Sequence, residues 1–199
     1  GFNLMKKNKV VCIGEALIDR IRNKSNQRFT DFLGGAPANV ASALKKLDID
    51  SIFIGRLGKD DYGKKFIEQF KELEVNLDFL QFNDSSTRVV NVDRDQFGDR
   101  FFSGFEAKSH SYFADEVLSK NLIKNQLPNL EKLFLETKYL VTGTILLASP
   151  MSAETIFFLL EKAKKFQVKI IIDLNWREVF WDYSNFSSEI SRTERVNVI

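Results

Sequence analysis

Four short runs rich in β-branched residues punctuate the chain, at Lys9 to Ile13 and at residues 51–55, 139–143 and 169–173. Each neighbours an amphipathic or Ala-rich stretch, and that alternation predicts an α/β fold with a largely parallel sheet. Phe66, Ile67, Phe70 and Leu73 recur at three-to-four spacing after Asp60, and Ile156, Phe157, Leu160 and Ala163 repeat the pattern. Both are expected to be helices laid on the sheet, the second led in by Pro150, Ser152 and Glu154.

Two regions break this rhythm. Residues 28–33, and 87–105 with a turn around 95–99, read as extended segments joined by a hairpin, with alternation at Val90 and Val92. They are expected to form a small β appendage. Phe97, Phe101, Phe102 and Phe105 crowd it, with packing as the default role against an oligomer contact or a ligand wall. Residues 108–129, polar and then helix-like, are the one long linker candidate. No internal repeat or low-complexity tract divides the chain.

At 199 residues and 44% hydrophobic content the chain can bury a real core and reads as one domain. Its 29 basic and 27 acidic residues give a net charge of +2 and are interspersed, which points away from nucleic acid and anionic membranes. The single cysteine, Cys12, lies inside an apolar run and is expected to be a buried strand thiol, so no intrachain disulfide is possible. No stretch approaches the roughly 20 apolar residues of a membrane span. A signal core is not evident either, and a cytoplasmic location is expected. Gly1 to Leu4 precede Met5 and are expected to be foreign to the natural chain.

The stretch from Leu33 through Gly34, Gly35, Ala36, Pro37, Ala38 and Asn39 to Ala41 carries the most chemistry. Paired glycines let a backbone turn tightly and approach a ligand, and Pro37 suits the first turn of a helix. Free N–H groups there favour hydroxyl or anionic oxygens, and the Asn39 amide both donates and accepts. A plain glycine turn before a helix is the alternative. Upstream, Ile13-Gly14-Glu15-Ala16-Leu17-Ile18-Asp19 places an acidic residue just past a buried strand, where open α/β sheets bind ligands. An Asp there can accept from two adjacent hydroxyls, its alternative being a surface or turn carboxylate.

Taken together, G-E-A-L-I-D, G-G-A-P-A-N-V-A and the run from Ile54 to Gly63 resemble the first signature region of the PfkB (ribokinase-like) carbohydrate kinases. The likeness continues through residues 74–76 and 141–144 to Asp173-Leu174-Asn175-Trp176-Arg177, and so covers the chain to about Trp181. The resemblance implies a ribokinase-like α/β domain over residues 5–199, with lid segments near 20–33 and 86–106. It implies transfer of the γ-phosphoryl group of ATP, with Mg2+, to a sugar hydroxyl. Asp19, Gly34, Gly35 and Asn39 match its sugar-binding positions, and lid contacts are expected from the hairpin, with Arg88 and Phe102 among them. Gly55, Gly58 and Gly63 match glycines expected to be structural. Asn175 and Arg177 match a D-x-N-x-R pattern near the phosphoryl path, where a guanidinium can pair with phosphate. No metal ligand is singled out, and a homodimer through the β lid is expected.

The family ends its catalytic region with a G-A-G-D turn, whereas the last glycine here is Gly143. The carboxy-terminal part is therefore expected to be missing, and this chain alone to bind sugar without turnover. Asp173 and Asp182 lack neighbouring glycines to replace that turn, and His110 reads as a solvated loop residue. The wording D-L-N-W-R-E-V-F-W resembles fructokinase-like members, with ribose, 2-keto-3-deoxygluconate and nucleosides left open. The alternative reading is a noncatalytic kinase-like protein that binds a sugar or a partner. A dinucleotide-dependent dehydrogenase is set aside because no G-x-G-x-x-G turn follows the first strand. Without later strands the sheet is expected to expose an edge and a face.

Overall fold

The computed structural model describes residues 7–23, 25–106 and 112–181. In chain order the elements are β1 (Lys9–Ile13), β2 (Leu17–Arg22), β3 (Phe29–Gly34), α1 (Ala36–Lys46), β4 (Ser51–Ile54), β5 (Arg56–Gly58), α2 (Asp61–Glu72) and β6 (Gln81–Asn83). There follow β7 (Val89–Arg94), β8 (Arg100–Phe105), α3 (Lys120–Lys124), α4 (Leu127–Glu136), β9 (Thr137–Thr142), α5 (Pro150–Lys165) and β10 (Lys169–Ile172).

The main sheet runs β10-β9-β1-β4, with every neighbouring pair parallel. Because successive side chains alternate faces, the strands sort their residues into two cores. Val11, Ile13, Ile52, Ile54 and Leu140 pack with Leu130, Phe134, Ile156 and Leu159 of α4 and α5. Val10, Cys12 and Phe53 pack on the other face with Ala38 and Ala41 of α1 and Phe66 and Phe70 of α2. Each large side chain so buried contributes roughly 1.5–3 kcal/mol. Burial pushes the Cys12 thiol up to about 12, so the thiol is inert packing. Pro37 and Pro150 stand in the first turns of α1 and α5, where the absent N–H costs nothing. Asp60 caps α2 by accepting from the Gly63 N–H at 2.8 Å. Among the described residues no helix is long and apolar enough to cross a membrane.

The appendage is a second four-stranded sheet of order β3-β2-β7-β8. Its outer pairs are antiparallel and its central pair, β2 with β7, is parallel. The hairpin turn closes where the Asp95 carboxylate accepts from the Phe97 and Asp99 N–H groups. The structure refines two sequence expectations. Residues 17–22 form a strand, so Asp19 lies within β2 instead of in a turn beyond β1. The linker candidate at 108–129 carries a 3-10 turn at Ala114–Val117, then α3 and the start of α4. At the open edge of the main sheet Ile171 is 48% exposed.

Arg88, immediately before β7, joins the second sheet to the core. Its Nε donates to Asp115 Oδ2 at 2.9 Å and its Nη2 to Oδ1 at 2.7 Å, both side chains being buried. The rings of Phe105, Phe113 and Phe180 lie 5.3, 5.1 and 5.1 Å from the guanidinium carbon. Burial pushes the Asp115 carboxyl up, the guanidinium pulls it back, and the bidentate geometry is that of an ion pair. Replacing one partner strands a buried charge, so Arg88→Met is expected to lower unfolding free energy by about 3–5 kcal/mol in a urea titration. A loss below about 1 kcal/mol would show that the pair does not join the layers.

Candidate functional site

β1 delivers the chain to residues 14–16, which turn into β2, the strand that carries Asp19. Across the sheet, Leu17 faces Gly34 and Asp19 faces Phe32. A Cβ on Gly34 would fall 2.5 Å from Asp19 Oδ2, so only glycine leaves that carboxylate its place. Gly35 has φ 96°, and a Cβ there would lie 2.5 Å from the Glu15 carbonyl oxygen. The glycine pair is thus a close-packed wall behind Asp19. Asp19 Oδ1 is buried and has no hydrogen-bond partner among the described residues. Burial raises the Asp19 pKa, and the positive charge of Arg100 opposes the rise.

Asp19 opens onto a cavity of about 220 Å³ lined also by Ile21, Val92, Arg100, Phe101, Phe102 and Arg177. Ile21 shares a face of β2 with Asp19, and Phe102 faces Val92 across β7 and β8. Phe180 sets its ring edge-on to Phe102 at 5.8 Å. Arg177 lies over the same ring, its guanidinium carbon 5.4 Å from the centroid.

Of the residues singled out from sequence, Asp19, Phe102 and Arg177 therefore meet in one cavity, with Gly34 and Gly35 behind Asp19. Asn39 is exposed on the first turn of α1 and does not line the cavity. Asn175 sits in the turn after β10, where its N–H donates to Asp173 Oδ1 at 3.1 Å. Arg88 is a correction: its guanidinium is committed to Asp115 and lies outside the cavity lining. His110 and Asp182 lie outside the described residues.

Sequence reasoning missed Arg100 and Glu15. Arg100 stands two residues before Phe102, a spacing that places both on one strand face. Glu15 is buried, and its Oε1 accepts from the Ala36 N–H at 3.3 Å, which holds the glycine turn against β2. Oε2 has no partner among the described residues.

Residues 7–196 match the pattern of the pfkB family carbohydrate kinases. The chain belongs to this family. It is 30% identical over 193 residues to the 5-dehydro-2-deoxygluconokinase of Bacillus subtilis strain 168, covering 92% of this chain and 56% of that one. It is 27% identical to the ATP-dependent 6-phosphofructokinase of Thermoanaerobacterium thermosaccharolyticum, over 89% of this chain and 52% of the relative. The chain thus spans just over half the length of these curated relatives. Among solved structures, the ATP-bound fructokinase of Xylella fastidiosa superposes with a TM-score of 0.77 at 26% identity, covering 95% of this chain and 55% of that one. The fructokinase of Vibrio cholerae O395 with fructose, ADP and calcium gives 0.73 at 25% identity, covering 96% and 56%. The α/β fold with a parallel sheet flanked by helices is the ribokinase-like fold of these neighbours.

For the nucleotide that the family implies, the described residues offer one fitting contact, the Arg177 guanidinium, which can take a phosphate oxygen pair. They bring together no group of three His, Cys, Asp or Glu that could hold a metal ion, so nothing here supports a resident Mg2+.

Burial pushes the Glu15 carboxyl from 4.5 to about 7, with the Asp115 charge adding to the rise and Arg88 and two backbone N–H groups opposing it. Between those two values the folded chain binds a proton that the unfolded chain releases. Stability from this group is therefore lost as pH rises from 4.5 through about 7. Denaturant titrations at pH 5 and pH 8 should show wild type losing on the order of 3 kcal/mol more than Glu15→Gln across that interval. Parallel losses in the two proteins would refute a buried titrating Glu15.

Proposed function

We propose that this chain forms the sugar-binding part of a carbohydrate kinase in which ATP phosphorylates a sugar hydroxyl. The observation that carries the reading is Asp19: a carboxylate at the cavity, with Oδ1 buried and unpartnered, held against a glycine wall. A buried acceptor without a donor costs free energy, and two adjacent sugar hydroxyls would repay it by donating to the carboxylate. Phe101 and Phe102 supply apolar walls for the ring carbons, and Arg177 supplies positive charge across from Asp19.

In this reading the β3-β2-β7-β8 sheet is a lid that keeps water from the reacting hydroxyl. Phe29, 55% exposed on the face of β3 away from Asp19, would be covered if two copies paired through that face. Asn175 stands on the phosphoryl side, beyond β10. Transfer itself needs an anion hole and a base, which the G-A-G-D turn supplies in the resemblance. The chain spans just over half the length of its curated relatives, so turnover is assigned to a protein of their length and sugar binding to this chain. A ketose in the cytoplasm is the substrate favoured by the fructokinase names among the relatives and by the wording of residues 173–181.

Calorimetric titration of the purified chain with fructose should show saturable binding. Asp19→Asn, which keeps shape and removes charge, is expected to weaken it at least about tenfold with an unchanged circular dichroism spectrum. Absence of binding to any sugar by the wild-type chain would refute the reading.

A further inference from the structure

The cavity that holds Asp19 is positively charged beyond what Asp19 requires. Against one carboxylate it sets two guanidinium groups, Arg100 from β8 and Arg177 from beyond β10. Among the described residues neither guanidinium makes an ion pair, and Arg100 acts on Asp19 only as a nearby charge. A second cavity of about 410 Å³ adjoins this one, sharing Ile21 and Arg100 and adding Arg22 and Arg94. Those two arginines bond to neutral groups, Arg22 to the Gln27 side-chain oxygen and Arg94 to the Gly98 carbonyl at 2.9 Å, so their charge is not cancelled.

The contrast with the other face of the same sheet is informative. There Arg20 is matched by Asp31 at 2.8 Å and by Glu106 at 3.6 Å. Arg20 and Arg88 are each matched by an acid, while Arg56 is held by the Phe82 and Val117 carbonyls. Among the described residues, Asp19 is the one acid that lines either cavity.

We propose that the substrate is a sugar bearing an anionic group, a carboxylate or a phosphate, held between Arg100 and Arg177 while Asp19 accepts from its hydroxyls. This rests on the sugar-binding reading above and narrows it. It also moves Arg177 from the transferred phosphoryl group, where its motif placed it, to the sugar itself. The planar fork of each guanidinium suits a pair of anionic oxygens, and Phe102 beneath Arg177 fixes one fork while leaving its edge to the ligand. A neutral hexose can also accept from these groups, but its hydroxyls leave both charges uncompensated in a half-enclosed site.

The test uses D-fructose and two anionic sugars that each differ from it at a single end, titrated calorimetrically into the chain without nucleotide. D-fructose is neutral, 2-keto-D-gluconate replaces its first hydroxymethyl by a carboxylate, and D-fructose 6-phosphate adds a phosphate at the other end. At least one anionic sugar is expected to bind about tenfold or more tightly than fructose, and which one does so identifies the group. Raising salt from about 50 to about 500 mM should erode that preference, because the charges are partly exposed. Arg100→Gln, and separately Arg177→Gln, should each shrink the preference to about twofold or less. Equal affinity for the three sugars, with Asp19→Asn still weakening fructose, would overturn the anionic inference and leave the sugar site standing. No binding of any of them would overturn both.

Discussion

The cavity owes its shape to the buried pair of Arg88 and Asp115. Three segments distant in sequence meet there. Arg88 heads β7, and its carbonyl accepts the Ile18 N–H at 2.9 Å, which begins the parallel pairing with β2. Asp115 belongs to the 3-10 turn between the lid strands and α3. Phe180, from beyond β10, completes the ring of aromatics around the guanidinium. Two opposite charges taken out of water gain little net stability over a well-packed apolar pair, because desolvation offsets most of their attraction. What such a pair does well is fix register, since a shift of either partner leaves a charge unmatched. Here the fixed register sets Phe180 against Phe102 and brings Arg177 over the cavity.

Two acids four residues apart divide the labour of β2 and the turn before it. Glu15 faces inward, where the Ala36 N–H engages one oxygen and burial pushes the carboxyl up to about 7. It positions the glycine turn. Asp19 faces the cavity, with Arg100 near enough to favour its charged form but not to bond it. The same physics, desolvation of a carboxyl, acts on a spacer that holds the glycine turn at one position and on an acceptor open to the cavity at the other. The difference lies in which positive charge each one faces, and at what remove.

That division explains what the sequence could and could not reveal. The main sheet and its helices were legible because parallel strands buried on both faces read as continuous apolar runs, as in Val10-Val11-Cys12-Ile13, and because Phe66, Ile67, Phe70 and Leu73 keep helical spacing. β2 escaped notice because it alternates Ile18 and Ile21 with Asp19, Arg20 and Arg22 and opens directly from a Gly-Glu corner. Asp19, Gly34 and Gly35 were found by resemblance. Arg88 was misread because an arginine on a lid suits a ligand as well as it suits a buried acid, and its acid lies 27 residues on in a stretch that reads as linker. Arg100 carried no signal beyond its two-residue offset from Phe102. Charge on an exposed hairpin looks like solvated surface until the opposite wall of the cavity is in view.

The wall opposite the hairpin is Arg177, which follows β10, and the carboxyl ends of the parallel strands before it are stitched together across the sheet. The Thr142 hydroxyl donates to the Ile13 carbonyl at 2.8 Å, the Asp173 N–H to the Thr142 carbonyl at 2.9 Å, and the Thr144 hydroxyl to the Leu174 carbonyl at 2.7 Å. β9 separates β1 from β10, so these ends are two strand spacings, or about 10 Å, apart. A side chain at the end of β10 therefore cannot meet Asp19 by pairing alone. It does so because the chain folds back after Asn175 and anchors Phe180 in the aromatic ring around Arg88, which aims Arg177 toward β8. The second sheet thus supplies the floor of the site through Ile21 and Val92, while its positive charge is brought by the β7-β8 hairpin and by this return. Substitutions on those two segments can alter the charge of the rim without disturbing Asp19, Gly34 or the sheet beneath them, and that separation of floor from rim gives a physical route to different ligands on one fold.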